Sequence, residues 1–144
     1  TCMKRKRWIL ISLAVVVVGA GAYLLFRKNY VTLNMSFATS VAIRYNGVEV
    51  TLTDEEAEKM KNAFKGVKEK SPIPTKCGYG PIQVRFSSDE KEVVTYPGID
   101  ECAMAALDSA EEGPFFYLGE EPTDYLWSLI KKYELREKWE ETRQ

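Results

Sequence analysis

The chain has 144 residues, of which 45% are hydrophobic and 28% are charged, and it contains no histidine. This composition excludes Ser-His-Asp and Cys-His catalysis, zinc sites built with histidine, and pH switching by imidazole. Six of the twenty Lys and Arg residues, but none of the twenty-one Asp and Glu residues, lie within residues 1–28, so the remainder has fourteen basic and twenty-one acidic residues, a net charge of −7. Such an acidic domain is not expected to bind nucleic acid.

The N-terminal segment has the composition of a membrane anchor. Residues 8–26 form an uncharged run of nineteen, with the basic sequence KRKR before it and RK after it. As a helix this run would extend roughly 28 Å, close to the bilayer hydrocarbon thickness of about 30 Å. The more basic flank favours a cytoplasmic N-terminus, so residues 1–30 are predicted to be a cytoplasmic flank and single-pass signal anchor, and residues 31–144 an extracytoplasmic domain at the cell membrane. The alternative is a signal peptide cleaved near Ala20-Gly21-Ala22, which would release a secreted domain.

The first half of the domain predicts three strands and a helix. Apolar residues alternate over residues 31–37, which indicates a first strand. Residues 41–52 alternate on both sides of an Asn-Gly pair and predict a hairpin with a type I′ turn. Thr53 and Glu56 then form a capping-box pattern at the start of a helix of about twelve residues, with Gly66 as its terminator.

The second half predicts a second hairpin, a further strand and a final helix. The prolines of residues 71–75 indicate an extended connection, and residues 82–96 alternate as two strands around a polar turn. Residues 100–108 fit either a short helix or an edge strand, whereas residues 115–118 predict a buried strand. Pro122 begins the last helix, which the charged tail would extend. These elements predict an α+β fold, in which two helices pack on one face of an antiparallel sheet of five or six strands.

Two cysteines flank the second hairpin. In an extracytoplasmic domain, Cys77 and Cys102 are disulfide candidates that would close a loop of about 26 residues. The alternative is that both are buried thiols that pack as small apolar residues.

The segment between Lys91 and Lys131 contains nine acidic residues and no Lys or Arg. It predicts an acidic face that recognises a cationic partner or Ca²⁺, and the alternative is a solvated acidic surface. The candidate residues of this acidic face are Asp100, Glu101, Asp108, Glu111, Glu112, Glu120, Glu121 and Asp124.

A basic face is predicted around the first helix of the domain, from Lys59, Lys61, Lys65 and Lys68. It would contact anionic lipid or a wall polymer, or it is simply the solvated side of the helix. We expect no catalytic, cofactor-binding or metal-binding site, because no residue pattern in the chain indicates one.

The MKRKRW anchor with its apolar run, the TDEE helix start, the two cysteines around a hairpin and the closing helix resemble the layout of uncharacterised membrane-anchored extracytoplasmic domain proteins of Gram-positive bacteria. This resemblance implies no activity. The expected function is a membrane-tethered, non-enzymatic binding or accessory module of the cell envelope, with an envelope protein or wall polymer as its partner. The alternatives are a small cell-wall hydrolase, an inhibitor of such a hydrolase, and a structural subunit of a membrane complex.

Overall fold

A computed structural model of the protein describes residues 2–28, 32–67, 69–71, 77–99 and 103–144. The chain divides into two compact units, residues 1–31 and 32–144. The first contains helix α1 (Cys2–Lys28), and its part from Cys2 to Leu25 is long and apolar enough to cross a membrane, with a mean hydropathy of 2.4. The predicted N-terminal apolar helix is therefore confirmed. Within it, the Ser12 hydroxyl donates a hydrogen bond to the Trp8 carbonyl at 2.9 Å, so this polar group has a partner inside the helix.

Within the described residues, the second unit is a seven-stranded antiparallel sheet with three helices. The sheet order is β2-β1-β4-β5-β6-β7-β3. The strands are β1 (Ser40–Tyr45), β2 (Val48–Thr51), β3 (Glu69–Ser71), β4 (Ile82–Ser87), β5 (Glu92–Pro97), β6 (Met104–Leu107) and β7 (Phe115–Tyr117), and the helices are α2 (Asp54–Phe64), α3 (Glu120–Lys132) and α4 (Leu135–Thr142). The predicted α+β class, with helices packed on an antiparallel sheet, is confirmed.

The main core lies between one face of the sheet and the helices. Alternate residues of β4, namely Ile82, Val84 and Phe86, are fully buried on this face, and the residues between them point to the other side. The ring of Phe86 meets that of Phe64 from α2 edge to face, with centroids 5.0 Å apart. Because β4 pairs with both β1 and β5 at the centre of the sheet, its apolar residues are covered on all sides.

The opposite face of the sheet has a smaller apolar cluster at the β5-β6-β7 end. Met104, Ala106 and Phe115 form this second cluster. Cys77 and Tyr79, from the connection before β4, pack against it, and the Tyr79 and Phe115 ring centroids are 5.3 Å apart. This connection therefore covers part of the face that the helices leave open.

Both predicted hairpins are present. Asn46 and Gly47 have φ angles of 47° and 94°, the two positive values that a type I′ turn requires. Asn and Gly tolerate these values best, so the turn sets the register in which Tyr45 pairs with Val48. Strands β4 and β5 form the second hairpin.

The predicted strand over residues 31–37 is wrong in its secondary structure, although its pattern of burial is right. Leu33 and Met35 are buried, but the segment lies beside the end of α2 instead of forming a strand of the sheet. The Leu33 amide donates to the Val67 carbonyl at 2.9 Å, and the Gly66 amide donates to the Leu33 carbonyl at 3.0 Å. The alternation of apolar and polar residues indicates which side chains are buried, but it does not identify the segment with which the backbone forms hydrogen bonds. Val31 is outside the described residues.

Two short strands complete the sheet. The ambiguous segment 100–108 contains strand β6, while its residues 100–102 are outside the described part of the chain. Strand β3, of three residues, pairs with β7 at the sheet edge. The extended connection predicted at residues 71–75 falls mostly on residues 72–76, which are not described.

The C-terminal tail forms a separate helix. Glu134 has a φ of 51°, a left-handed conformation that ends α3 and starts α4 in a new direction. Trp139 of α4 packs back on the sheet, with its ring edge to face against Tyr45 at a centroid distance of 5.9 Å. The helical cover of the sheet is therefore larger than the two predicted helices.

The capping box of α2 also joins two helices. Glu56 is only 8% exposed, and its carboxylate accepts a hydrogen bond from the Thr53 amide at 3.1 Å while Thr53 caps the Glu56 amide. The same carboxylate accepts from Lys132 Nζ at 2.5 Å and from the Tyr133 hydroxyl at 2.6 Å. Burial by itself would raise the pKa of Glu56, but the hydrogen bonds from Lys132, Tyr133 and Thr53 outweigh burial and lower this pKa from 4.5 to about 2.

We expect Glu56→Gln to lower the free energy of unfolding at pH 7 by about 2 to 3 kcal/mol, because the neutral amide loses its charge-assisted bonds to Lys132 and Tyr133. A lowered carboxyl pKa stabilises the fold above the unfolded value of 4.5, and this contribution is lost as the pH falls towards 2. The difference between the two proteins should therefore shrink between pH 5 and roughly 2. Urea unfolding of both detergent-solubilised proteins across this pH range measures the difference in free energy of unfolding.

Glu55→Gln is the matched control for this prediction. Glu55 is exposed in the same first turn of α2, so its substitution removes the same charge from the helix start without touching Lys132 or Tyr133. An equal loss of stability in both variants would contradict the proposed role of the buried network and leave only the helix dipole.

Candidate functional site

A cleft of about 570 Å³ opens beside the first turns of α3. One helical face supplies one wall of it, and residues next to β6 supply another. The described residues that line the cleft are Ile99, Ala103, Glu120, Thr123, Asp124 and Trp127. Its volume lies within the range of about 300–1,000 Å³ that is typical of small-ligand sites.

Four of the residues that line the cleft lie on one face of α3. Three of them, Thr123, Asp124 and Trp127, follow Glu120 by three, four and seven positions, a spacing that places all four on the same face of the helix. The other face of α3 is buried in the core through Leu126, Leu129 and Ile130, and this packing sets the rotation of the helix so that the first face is turned towards the cleft. The two carboxylates are therefore neighbours on consecutive turns, with an indole one turn further along.

The start of α3 is shaped by a glycine. Gly119 has a φ of 94°, which allows the sharp turn from β7 into the helix, and its carbonyl accepts a hydrogen bond from the Thr123 hydroxyl at 2.7 Å. The Thr123 hydroxyl therefore has no hydrogen left to donate to a ligand, and its oxygen can only accept, as can the carboxylates of Glu120 and Asp124.

The second wall is held by backbone hydrogen bonds between neighbouring segments. The Leu118 amide donates to the Ala103 carbonyl at 2.7 Å, and the Gly98 amide donates to the Met104 carbonyl at 2.8 Å. The Ile99 side chain is 41% exposed, which is unusual for a large apolar residue of this domain. The described lining of the cleft therefore combines two apolar residues, Ile99 and Ala103, with the carboxylates of Glu120 and Asp124.

The described residues of the predicted acidic face lie in different local surroundings. Glu120 and Asp124 line the cleft, whereas Glu121 lies in a separate hollow between α2 and α3 with Lys59 and Tyr125. Asp108, Glu111 and Glu112 lie on the connection between β6 and β7, and Asp100 and Glu101 are outside the described residues. In the described part of the chain, no three acidic, cysteine or histidine residues are grouped so that they could hold a metal ion. The Ca²⁺ alternative gains no support.

The described lysines of the predicted basic face also have different surroundings. Lys59 Nζ lies 4.2 Å from the centroid of the Tyr125 ring, and Lys61 Nζ forms an ion pair with Glu58 at 2.5 Å and donates to the Ala38 carbonyl at 3.0 Å. Lys65 is exposed and borders a different hollow, and Lys68 is outside the described residues. Two of the four lysines thus have partners within the domain.

Cys77 is half-buried in the second apolar cluster, and Cys102 is outside the described residues. The Ile99 amide donates to the Gly78 carbonyl at 2.8 Å, so the chain just after Cys77 lies beside the chain three residues before Cys102. This proximity is compatible with the predicted bond between the two cysteines, which stays a prediction.

The sequence indicates the two carboxylates of the cleft but not the cleft itself. The spacing of Glu120, Thr123, Asp124 and Trp127 was available as a signal in the sequence, since it marks one helical face. Ile99 and Ala103 had no such signal, because only the pairing of β6 with β5 and β7 brings them to α3.

No protein-family model, curated protein or solved structure matches this chain. The resemblance to membrane-anchored domain proteins of Gram-positive bacteria stays a prediction. What the site does must therefore be inferred from its own residues.

Proposed function

We propose that this protein is a membrane-tethered, non-enzymatic extracytoplasmic binding module of the cell envelope, and that its cleft binds a primary ammonium group of an envelope partner. The observation that carries this proposal is the cleft beside α3, which is lined both by the carboxylates of Glu120 and Asp124 and by the apolar residues Ile99 and Ala103. Helix α1 is the tether.

The chemistry of the cleft favours an ammonium group on an alkyl stem, such as a lysine side chain. Glu120 and Asp124 are like charges one turn apart, and they repel each other until a cation lies between them. The indole of Trp127 offers a π-face to a cation, and Ile99 and Ala103 offer apolar surface to an alkyl chain. A ligand that has an ammonium group on an alkyl stem can contact the carboxylates and the apolar residues at the same time.

A fluorescein-labelled lysine peptide titrated into the detergent-solubilised full chain tests this proposal by fluorescence anisotropy. The same peptide with an acetylated lysine should bind much more weakly, because acetylation removes the charge. Glu120→Gln and Asp124→Asn should each raise the Kd roughly fivefold, which corresponds to about 1 kcal/mol for a solvent-exposed charge contact.

Asp108→Asn and Glu111→Gln are matched controls, because they remove the same charge on the β6–β7 connection, at residues that are not among those lining the cleft. These controls should leave the Kd within about twofold of the unsubstituted protein, since only screened long-range interactions change. If all four substitutions weaken binding equally, the peptide responds to net charge and the cleft is not its site.

We further propose that the domain lies outside the cytoplasm and that Cys77 and Cys102 are bonded there. The stronger positive charge before α1 than after it supports this orientation. The hydrogen bond between Ile99 and Gly78 supports the pairing, because it brings the two flanking segments together. Signal-peptide cleavage remains the alternative for α1, since it leaves the domain on the same side without a tether.

Membrane-impermeant maleimide applied to intact cells tests orientation and pairing together. Cys77 and Cys102 should take up label only after reduction, whereas the exposed Cys2 should take up label only after lysis, because it precedes the anchor. The masses of the labelled tryptic peptides identify each site. Labelling of Cys2 in intact cells would contradict the orientation, labelling of Cys77 without reduction would contradict the bond, and loss of residues 2–22 from the mature chain would establish cleavage.

A further inference from the structure

Ile99 is a large apolar side chain that the fold holds in contact with water. It is 41% exposed, and among the described residues after α1 only Tyr117 is a comparable case. Two hydrogen bonds hold the backbone here, since the Ile99 amide donates to the Gly78 carbonyl at 2.8 Å and the Gly98 amide donates to the Met104 carbonyl at 2.8 Å. Ile99 also lines the cleft beside α3, so an apolar part of a ligand in this cleft would cover it favourably.

Gly78 makes room for the Ile99 side chain. A Cβ atom at residue 78 would lie 2.8 Å from both Cγ1 and Cδ1 of Ile99, well inside the packing distance of about 3.5 to 4.0 Å between carbon atoms. Gly78 is not among the described glycines with a positive φ, so its backbone would accept a side chain, and the contact with Ile99 is what requires a glycine.

The atoms in contact show how Ile99 would respond to a larger residue at 78. Rotation about χ2 moves Cδ1 alone, whereas Cγ1 moves only when χ1 changes. A methyl group on residue 78 would therefore force Ile99 out of its present rotamer, while the two backbone hydrogen bonds could remain. The expected consequence is a local change in the cleft lining.

We infer that Gly78 is a positioning residue of the cleft, and that it holds Ile99 where this side chain selects ammonium ligands with a long alkyl stem over those with a short one. The inference rests on the proposed function, because it assigns the selectivity of the same cleft. The carboxylates of Glu120 and Asp124 attract an ammonium group whatever the length of its stem. Ile99 distinguishes stem lengths, because it is much larger than Ala103 and each methylene that it removes from water strengthens binding.

Two labelled peptides that differ only in stem length test this selectivity by fluorescence anisotropy. One contains lysine, and the other contains 2,4-diaminobutyrate, which carries the same ammonium group on a stem two methylenes shorter. Both are titrated into the detergent-solubilised full chain below neutral pH, where alkyl amines are charged. Complete burial of the two extra methylenes would strengthen binding more than about tenfold, so partial burial beside Ile99 should make the lysine peptide bind roughly fivefold more tightly.

Gly78→Ala should remove most of this preference. The lysine peptide should lose roughly fivefold in affinity, because its stem no longer meets Ile99, whereas the diaminobutyrate peptide should stay within about twofold, since the carboxylates are unchanged. Ile99→Ala should have the same effect. A substitution that merely loosened the fold would weaken the binding of both peptides alike.

The double variant Gly78→Ala/Ile99→Ala is the matched control. Ile99→Ala removes Cγ1 and Cδ1, the two atoms that the new methyl group would meet, so Gly78→Ala should cause no further loss of affinity in this background. Melting temperatures of the unsubstituted chain and the three variants should all lie above the temperature of the titrations.

The outcomes separate this inference from the proposed function. Ammonium binding would stand, and the role of Gly78 would be overturned, if the unsubstituted chain bound both peptides equally or if folded Gly78→Ala protein kept its preference for lysine. The same holds if Gly78→Ala caused an equal loss with and without the Ile99 side chain, or if Gly78→Ala protein did not fold. If neither peptide bound the unsubstituted chain, the proposed function would fail and this inference with it.

Discussion

The buried carboxylate of Glu56 is the interaction on which the helical layer depends. One side chain completes the cap of α2 and accepts hydrogen bonds from the last turn of α3 through Lys132 and from the following residue Tyr133. A buried charge is costly unless it is paired and hydrogen-bonded, so these partners stabilise the arrangement in which Glu56 is buried. The C-terminal end of α3 is thereby fixed against α2. Its N-terminal end, where the cleft opens, is then held at a defined position against the loops of β6 and β7.

The sequence predicted local features well, because local chemistry determines them. The Asn46-Gly47 turn and the capping box of Thr53 and Glu56 each need only a few consecutive residues, and both are present as expected. The partners of a strand are different, since alternation at Leu33 and Met35 is satisfied equally by a ladder or by packing beside the end of α2. The second role of Glu56 was also hidden, because Lys132 and Tyr133 are more than seventy residues away in sequence.

The charge patterns of the sequence do not show in which local surroundings the fold places each charged residue. The eight candidate residues of the acidic face suggest one surface in the sequence, yet Glu120 and Asp124 line the cleft while Glu121, the neighbour of Glu120, lines a separate hollow. Consecutive helical residues point about 100° apart, so a cluster in sequence becomes several small sites around a helix. For the same reason Lys59 and Lys61 have different partners, a tyrosine ring and a carbonyl with a carboxylate.

The acidic residues at the start of α3 can be explained by the helix dipole or by a cation-binding site, and the position of each residue around the helix distinguishes these two explanations. The helix dipole stabilises a negative charge anywhere in the first turn, so it accounts for Glu120 and Glu121 equally. It does not account for Asp124, which lies one turn further along and adds repulsion with Glu120 on the same face. Nor does it account for the exposed Ile99 and the Trp127 indole that border these two carboxylates. A solvated helix start needs no apolar neighbours, whereas a site for an ammonium group on an alkyl stem needs both the charges and the apolar surface.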